Sequence, residues 1–217
     1  PMFSDVGFAA AEFSEEEAAY IAENPDYCRI EGGEADFCNN KLIVARAFGP
    51  TPSDVHPDEY IGSPLGYDGH GTHVAGTAVG NPIEITYQDN NVSISGVAPA
   101  AQLMAYKALW HTADGRGSGT TVALMGALEA AIKDGADVIN NSWGGGAGGN
   151  PSSSAYSDLF TAAEEAGVVV VTAAGNDGNG AQTIGCPSCI ESGLTVANTQ
   201  TGRFFSQQIE VAGETYL

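Results

Sequence analysis

From Lys41 onward, short apolar runs alternate with longer segments in which apolar residues recur every three to four positions. Leu42 to Phe48, Val92 to Val97, Gln102 to Leu109, Asp137 to Ser142, Val168 to Thr172 and Leu194 to Ala197 have the length and composition of strands. His70 to about Val79, Thr121 to Lys133 and Ser154 to Ala166 have helical spacing, and Gly135 stops the second of these. Val168 to Thr172 is apolar throughout, the pattern of a strand covered on both faces. Repeated strand–helix–strand units predict an α/β fold of three layers, α/β/α, with a mostly parallel sheet between helices. Residues 50–69 hold four prolines and several glycines and read as a loop. Residues 1–40 form an irregular, acidic N-terminal segment. It contains one short predicted helix, Ser14 to Glu23, with Ser14 as cap and Glu17 as its capping-box partner. Residues 41–200 form the core, and 201–217 end the chain.

In parallel sheets, ligand sites form beyond the carboxyl ends of strands. Two glycine-rich breaks fall at such ends, one after Asn141 and one after Ala174. Asn176, at the tip of a buried strand, can aim an amide N–H at a developing oxyanion, or can simply close a turn. His70 opens a helix between two glycines and can approach a substrate closely; a lone histidine is equally a satisfied capping or core group. His73 lies one turn later, but the segment lacks the glutamate of an HExxH zinc hydrolase. Gly115 to Gly119 lacks the lysine and spacing of a phosphate loop and suits a flexible rim for extended peptide. No GxSxG elbow occurs.

Charge and cysteines narrow the class. Seven basic residues face 27 acidic ones, a formal net charge of -20, which repels phosphate backbones and excludes nucleic acid as a partner. No run of eighteen apolar residues is present to span a membrane. Cys28, Cys38, Cys186 and Cys189 form two local pairs, pointing to two disulfides and an oxidising compartment. The alternative is one zinc site built from all four, since Cys186 and Cys189 have CxxC spacing.

Five blocks, taken together, resemble the subtilisin-like serine proteases. Asp68-Gly-His-Gly-Thr-His-Val-Ala-Gly-Thr77 is similar to the family's histidine motif, in which the first histidine is catalytic. Gly96 to Leu109 resembles the strand that follows it. Gly117, Ser118 and Gly119 are similar to the segment that pairs with substrate backbone. Asp137 to Gly145 resembles the opposite rim, with Ser142, Trp143 and Gly144 walling the S1 pocket. Thr172-Ala-Ala-Gly-Asn176 is similar to the other wall, Ala173, Ala174 and Gly175, ending in the oxyanion asparagine. The finer likeness is to the larger pyrolysin and plant-type branch, which carries a protease-associated insert after a strand pair like Arg203 to Leu217.

The resemblance implies a subtilisin-like fold, here incomplete, and a serine-type endopeptidase with His70 as general base and Asn176 as oxyanion donor. It implies a peptide or protein substrate, a secreted and monomeric enzyme, no cofactor for the chemistry and no catalytic metal. Structural calcium is common in the family, and Asp89 to Asn91 offers a loop for it. The walls show no obvious charge, so large apolar or mixed P1 side chains are expected, with the acidic surface steering basic peptides. The family's DTG-type aspartate motif and GTSMA-type serine motif do not occur in these 217 residues. The chain alone is therefore expected to be inactive. The rival class is a peptide-binding module that keeps the groove without catalysis.

Overall fold

The computed structural model describes residues 2–199, 209–211 and 214–216. Helix α1 (Glu15–Glu23) is capped as its sequence predicts. The Ser14 hydroxyl accepts the Glu17 N–H at 3.2 Å, and the Glu17 carboxylate accepts the Ser14 N–H at 2.7 Å. Strand β1 (Leu42–Ala47) follows, then α2 (His70–Val79), the strands β2 (Ile83–Tyr87) and β3 (Asn90–Ile94), and β4 (Leu103–Lys107). Two short strands, β5 (Trp110–His111) and β6 (Gly117–Ser118), precede α3 (Thr121–Lys133). The chain continues through β7 (Val138–Asn141), α4 (Ser157–Glu165), β8 (Val169–Ala173), β9 (Leu194–Val196), β10 (Ile209–Val211) and β11 (Glu214–Tyr216).

Where the structure departs from the sequence pattern, local chemistry explains it. The strand expected at Val92 to Val97 is shorter and is one arm of a hairpin with β2. Gln88 and Asp89 close it with φ of 47° and 61°, the left-handed pair of a type I′ turn. Of Asp89 to Asn91, considered for calcium, Asp89 lies in this tight turn and Asn90 and Asn91 open β3. Helix α4 begins at Ser157 instead of Ser154 because Pro151–Ser153 forms a 3-10 turn first, with the Asn150 side chain accepting from the Ser152 N–H. Of the expected strand pair from Arg203 to Leu217, β10 and β11 pair antiparallel, while residues 200–208 lie outside the described residues.

The parallel sheet comes in two pieces. β1 pairs with β4, and β7, β8 and β9 pair in that order, all parallel. Tyr106 on β4 ties the pieces together by packing against all three clusters of buried side chains. One face of the second piece is covered: Ile139 and Val170 meet Leu128 and Ala131 of α3 and Phe160 and Ala163 of α4. Both faces were expected to be buried. Among the described residues the other face is open, with Val138 61% and Leu194 58% exposed, because α3 and α4 return to the same side.

Buried charge fastens the first piece to its surroundings. Arg46 of β1 makes a two-point ion pair with Asp134 at the end of α3, at 2.8 and 2.6 Å, and donates to Asn24 O. The Tyr106 hydroxyl donates to Asp134 at 2.7 Å. Burial, then the charge and hydrogen bond of Asp134, hold the Tyr106 proton well above the ordinary tyrosine range. Lys41, fully buried, donates to Pro99 O and Ala101 O, and burial lowers its pKa.

Disulfides join Cys28 to Cys38 and Cys186 to Cys189, with Cα separations of 5.9 and 4.6 Å. No cysteine among the described residues is free, so the four-cysteine zinc reading is set aside. Among the described residues, no helix is long and apolar enough to cross a membrane.

Candidate active site

The residues singled out by sequence fall at three places. The first is the start of α2. Gly69 sits there with φ of 83°, a conformation that suits glycine, and the His70 N–H is accepted by the Asp68 carboxylate at 3.1 Å. The His70 and His73 side chains are both exposed. Asp68, one residue before the N-cap Gly69, therefore accepts the first N–H of the helix that presents His70.

The loop leading to His70 has almost no secondary structure, yet it is held firmly. Glu59, only 8% exposed, takes Lys107 at 2.8 Å through one oxygen and the His111 N–H at 2.7 Å through the other. Lys107 also donates to Tyr60 O and Leu65 O and lies 4.4 Å over the Trp110 ring. Burial by itself would raise the Glu59 pKa. The Lys107 hydrogen bond, the His111 and Tyr60 N–H groups and the Lys107 charge outweigh it, leaving the carboxyl below the usual glutamate value. His56 stacks on Tyr67 at 4.8 Å, and His111 approaches Tyr67 at 5.2 Å and the Asp68 carboxylate at 4.0 Å. The histidine-bearing helix and the second place are thus joined through Asp68 and His111.

That second place is the edge strand β6. Trp110 pairs with Ser118 and His111 with Gly117, antiparallel, and both β6 residues are exposed. Gly119 has no room for a side chain: a Cβ there would lie 2.1 Å from Ala108 O. The glycine lets the chain fold back tightly and leaves the outer edge of β6 open.

The third place is a cavity of about 290 Å³ at the carboxyl ends of β7 and β8. Ser142, Trp143 and Gly144 line one side, Ala173 and Gly175 the other, with Asn176 and Asp177 at the lip. Ala174, grouped with these by sequence, does not line it; its N–H continues the ladder to Val196 O at 2.9 Å. Gly145 and Gly146 do line it. Trp143 turns its indole inward, donating to Asn141 at 3.1 Å and meeting Tyr156 edge-on at 5.4 Å. The walls named from the sequence carry no charge, and Asp177, beside Asn176, is a further lining residue that was not named. The signal was present in the sequence, one residue past the asparagine. A larger open depression, about 980 Å³, lies elsewhere, between residues 4–10 and the segments around Pro82 and Pro99, and holds none of these side chains.

The Cys186–Cys189 loop buttresses the cavity. Gly145 N–H donates to Cys186 O at 2.8 Å, Ser188 donates to Ala173 O, and Thr195 donates to Ser188 O at 3.0 Å. A Cβ on Gly185 would lie 2.3 Å from Gly145 O. Among the described residues, the one group of three potential metal ligands is Asp26, Cys28 and Cys38, two of which are spent in a disulfide.

Comparison with known proteins gives the family of the chain. A profile of the Subtilase family matches residues 50–213. Subtilisin-like protease SBT3.7 of Arabidopsis thaliana is 35% identical over 188 residues, covering 81% of this chain and 24% of that protein. The minor extracellular protease Vpr of Bacillus subtilis is 39% identical over 131 residues, covering 60% of this chain and 14% of that protein. Among solved structures, Sphericase is 32% identical, with a TM-score of 0.43, covering 59% of this chain and 40% of that one. The chain thus spans about a quarter or less of the length of these curated relatives. On the match over residues 50–213, this chain belongs to the Subtilase family.

Proposed function

We propose that this chain is the substrate-facing part of a secreted serine-type endopeptidase, with His70 as general base and Asn176 as oxyanion donor. The observation that carries the reading is the strand-end cavity with Asn176 at its lip and Ser142 to Gly144 facing Ala173 and Gly175. An extended peptide would lie along the open edge of β6 and place one side chain in that cavity. A serine from outside these residues would attack the scissile carbonyl. His70 would take its proton and return it to the leaving amine, while an aspartate, also from outside, would hold the imidazole tautomer. Asn176 would donate to the oxyanion. The two disulfides support an oxidising compartment.

The test is cleavage of casein and short peptides by the longer protein carrying this chain, beside its His70→Ala and Asn176→Ala variants. His70→Ala should abolish turnover. Asn176→Ala should lower kcat on the order of 10²–10³; that size is known for an oxyanion donor in subtilisin itself, a member of this family, and is not a value worked out for this chain. An unmodified longer protein that binds peptides without cleaving them would establish the binding-module reading instead. The 217-residue chain alone is expected to be inactive, and turnover by it would overturn the placement of the nucleophile.

A further inference from the structure

We propose that the Cys186–Cys189 disulfide is a site of thiol–disulfide exchange. A dithiol opens it in the folded protein and so loosens both walls of the strand-end cavity. The exchange site stands on its own geometry; its consequence for turnover rests on the peptidase reading above. The small ring that this disulfide closes is hydrogen-bonded to each wall. On the β7 side, Cys186 O accepts the Gly145 N–H at 2.8 Å; on the β8 side, the Ser188 hydroxyl donates to Ala173 O. Thr195 of β9 donates in turn to Ser188 O at 3.0 Å. Pro187 and Ser188 are buried, which seats the ring between the walls, while both cysteines are half-buried and within reach of a small reductant.

The two disulfides differ in how readily they should open. Cys186 and Cys189 are separated by 3 positions, the Cys-X-X-Cys spacing at which proteins run dithiol exchange and at which thiolates are stabilised. Cys28 and Cys38 are separated by 10. The buried Asp26 carboxylate stands 3.9 Å from Cys38 Sγ, where its charge, offset in part by Arg29, disfavours a thiolate. The reduced state of the first pair fits its surroundings. Cys189 packs against the apolar cluster that holds Ile190 and Phe160, and a thiol behaves there as a small hydrophobe. The ladder of β7, β8 and β9 does not depend on the ring, so opening it leaves the sheet in place. In the exchange, a thiolate of the dithiol attacks one sulfur, breaks the S–S bond and forms a mixed disulfide. The second thiol of the reductant then displaces the cysteine. Two electrons and two protons pass to Cys186 and Cys189 as two thiols, and the reductant leaves as its cyclic disulfide.

The test uses the longer protein that carries this chain, in buffers of reduced and oxidised dithiothreitol. Thiols are trapped by alkylation and located by peptide mass spectrometry. Cys186 and Cys189 should be half reduced at a dithiol-to-disulfide ratio about tenfold or more below that for Cys28 and Cys38. At a ratio that opens only the first pair, amide hydrogen exchange should quicken at residues 144–146 and 173–176 and stay unchanged in α3. For one fixed peptide, kcat/KM should fall on the order of tenfold, within the ~10²-fold that a misplacement of about 1 Å can cost, and return on reoxidation. Cys186→Ser with Cys189→Ser should match the reduced protein and ignore the dithiol; if that variant does not fold, reduction of the unmodified protein decides alone. Faster exchange on reduction in a protein that cleaves nothing would end the peptidase reading and leave the exchange site standing. Reduction of both disulfides together, or of Cys28–Cys38 first, overturns the proposal. So does opening of Cys186–Cys189 that leaves hydrogen exchange at the walls, or kcat/KM in an active enzyme, unchanged.

Discussion

The loop that leads to His70 and the walls of the strand-end cavity are positioned by different forces. The Lys and Arg ion pairs that fasten the N-terminal part of the molecule, among them Arg46 with Asp134 and Lys107 with Glu59, lie at positions up to Asp134. The His70 side depends on them because residues 50–69 have little backbone ladder of their own, so Glu59 and Lys107 clamp the loop from inside. The cavity side has paired strands already, and its loops close on backbone: Gly145 on Cys186, Gly149 on Ile184 and Ala174 on Val196. Glycine makes that possible, since a Cβ on Gly149 would stand 2.6 Å from Cys186 N and one on Gly185 would strike Gly145 O. A long loop without secondary structure needs directional side-chain anchors. A turn at the end of a strand needs only the space to come close.

The largest effect should come from the ionic side. Asp134→Ala would leave Arg46 buried without its carboxylate, at about 3–5 kcal/mol of folding stability in chemical denaturation. Replacing both partners with apolar residues, as in Arg46→Met with Asp134→Leu, should cost much less. If the single and double variants are equally unstable, the pair is not what fastens β1 to α3.

The two disulfides compare the regions directly. Cys28–Cys38 closes a sequence separation of 10, and Cys186–Cys189 one of 3. On chain entropy alone, replacing the first pair with serines should cost about 3 kcal/mol and the second about 2 kcal/mol. Thermal denaturation of the two double-serine variants checks the order. A reversed order would mean that the second disulfide does more for the cavity than close a short loop.

Glu59→Gln is the finest of the three. It keeps the shape but removes the charge facing Lys107, for about 2 kcal/mol at neutral pH, with faster amide hydrogen exchange in residues 60–67. Because the folded-state pKa of Glu59 is lowered, its contribution is complete above the ordinary glutamate pKa of about 4.3 and is lost as pH falls through the lower folded value. Stability of the unmodified protein should therefore fall more steeply with acid than that of Glu59→Gln. Parallel acid titrations would show that Glu59 is uninvolved.

Much of the frame is legible in the sequence. The α3 spacing ran from Thr121 to Lys133 and the structure keeps those limits; Ser14 with Glu17 marked the α1 cap. Such signals are local, set within one turn of helix by spacing and by a side chain able to reach an N–H. β2 was missed although Ile83, Ile85 and Tyr87 alternate, because the Gln88–Asp89 turn lacks the glycine that usually announces one. The break of the sheet into two pieces was not legible either, since a strand's sequence does not name its neighbour.

By itself, then, the sequence determined the parallel α/β pattern, the two local cysteine pairs and the strand-end and helix-start positions of Asn176 and His70. Only the tertiary structure decided that Glu59 and Lys107 meet across 48 positions, that Asp68 joins His70 to His111, and that the Cys186–Cys189 loop closes on Gly145 beside the cavity. Periodicity and capping act over a few residues and are written along the chain. Which buried acid meets which base, and which loop closes on which wall, depends on packing between segments far apart in sequence.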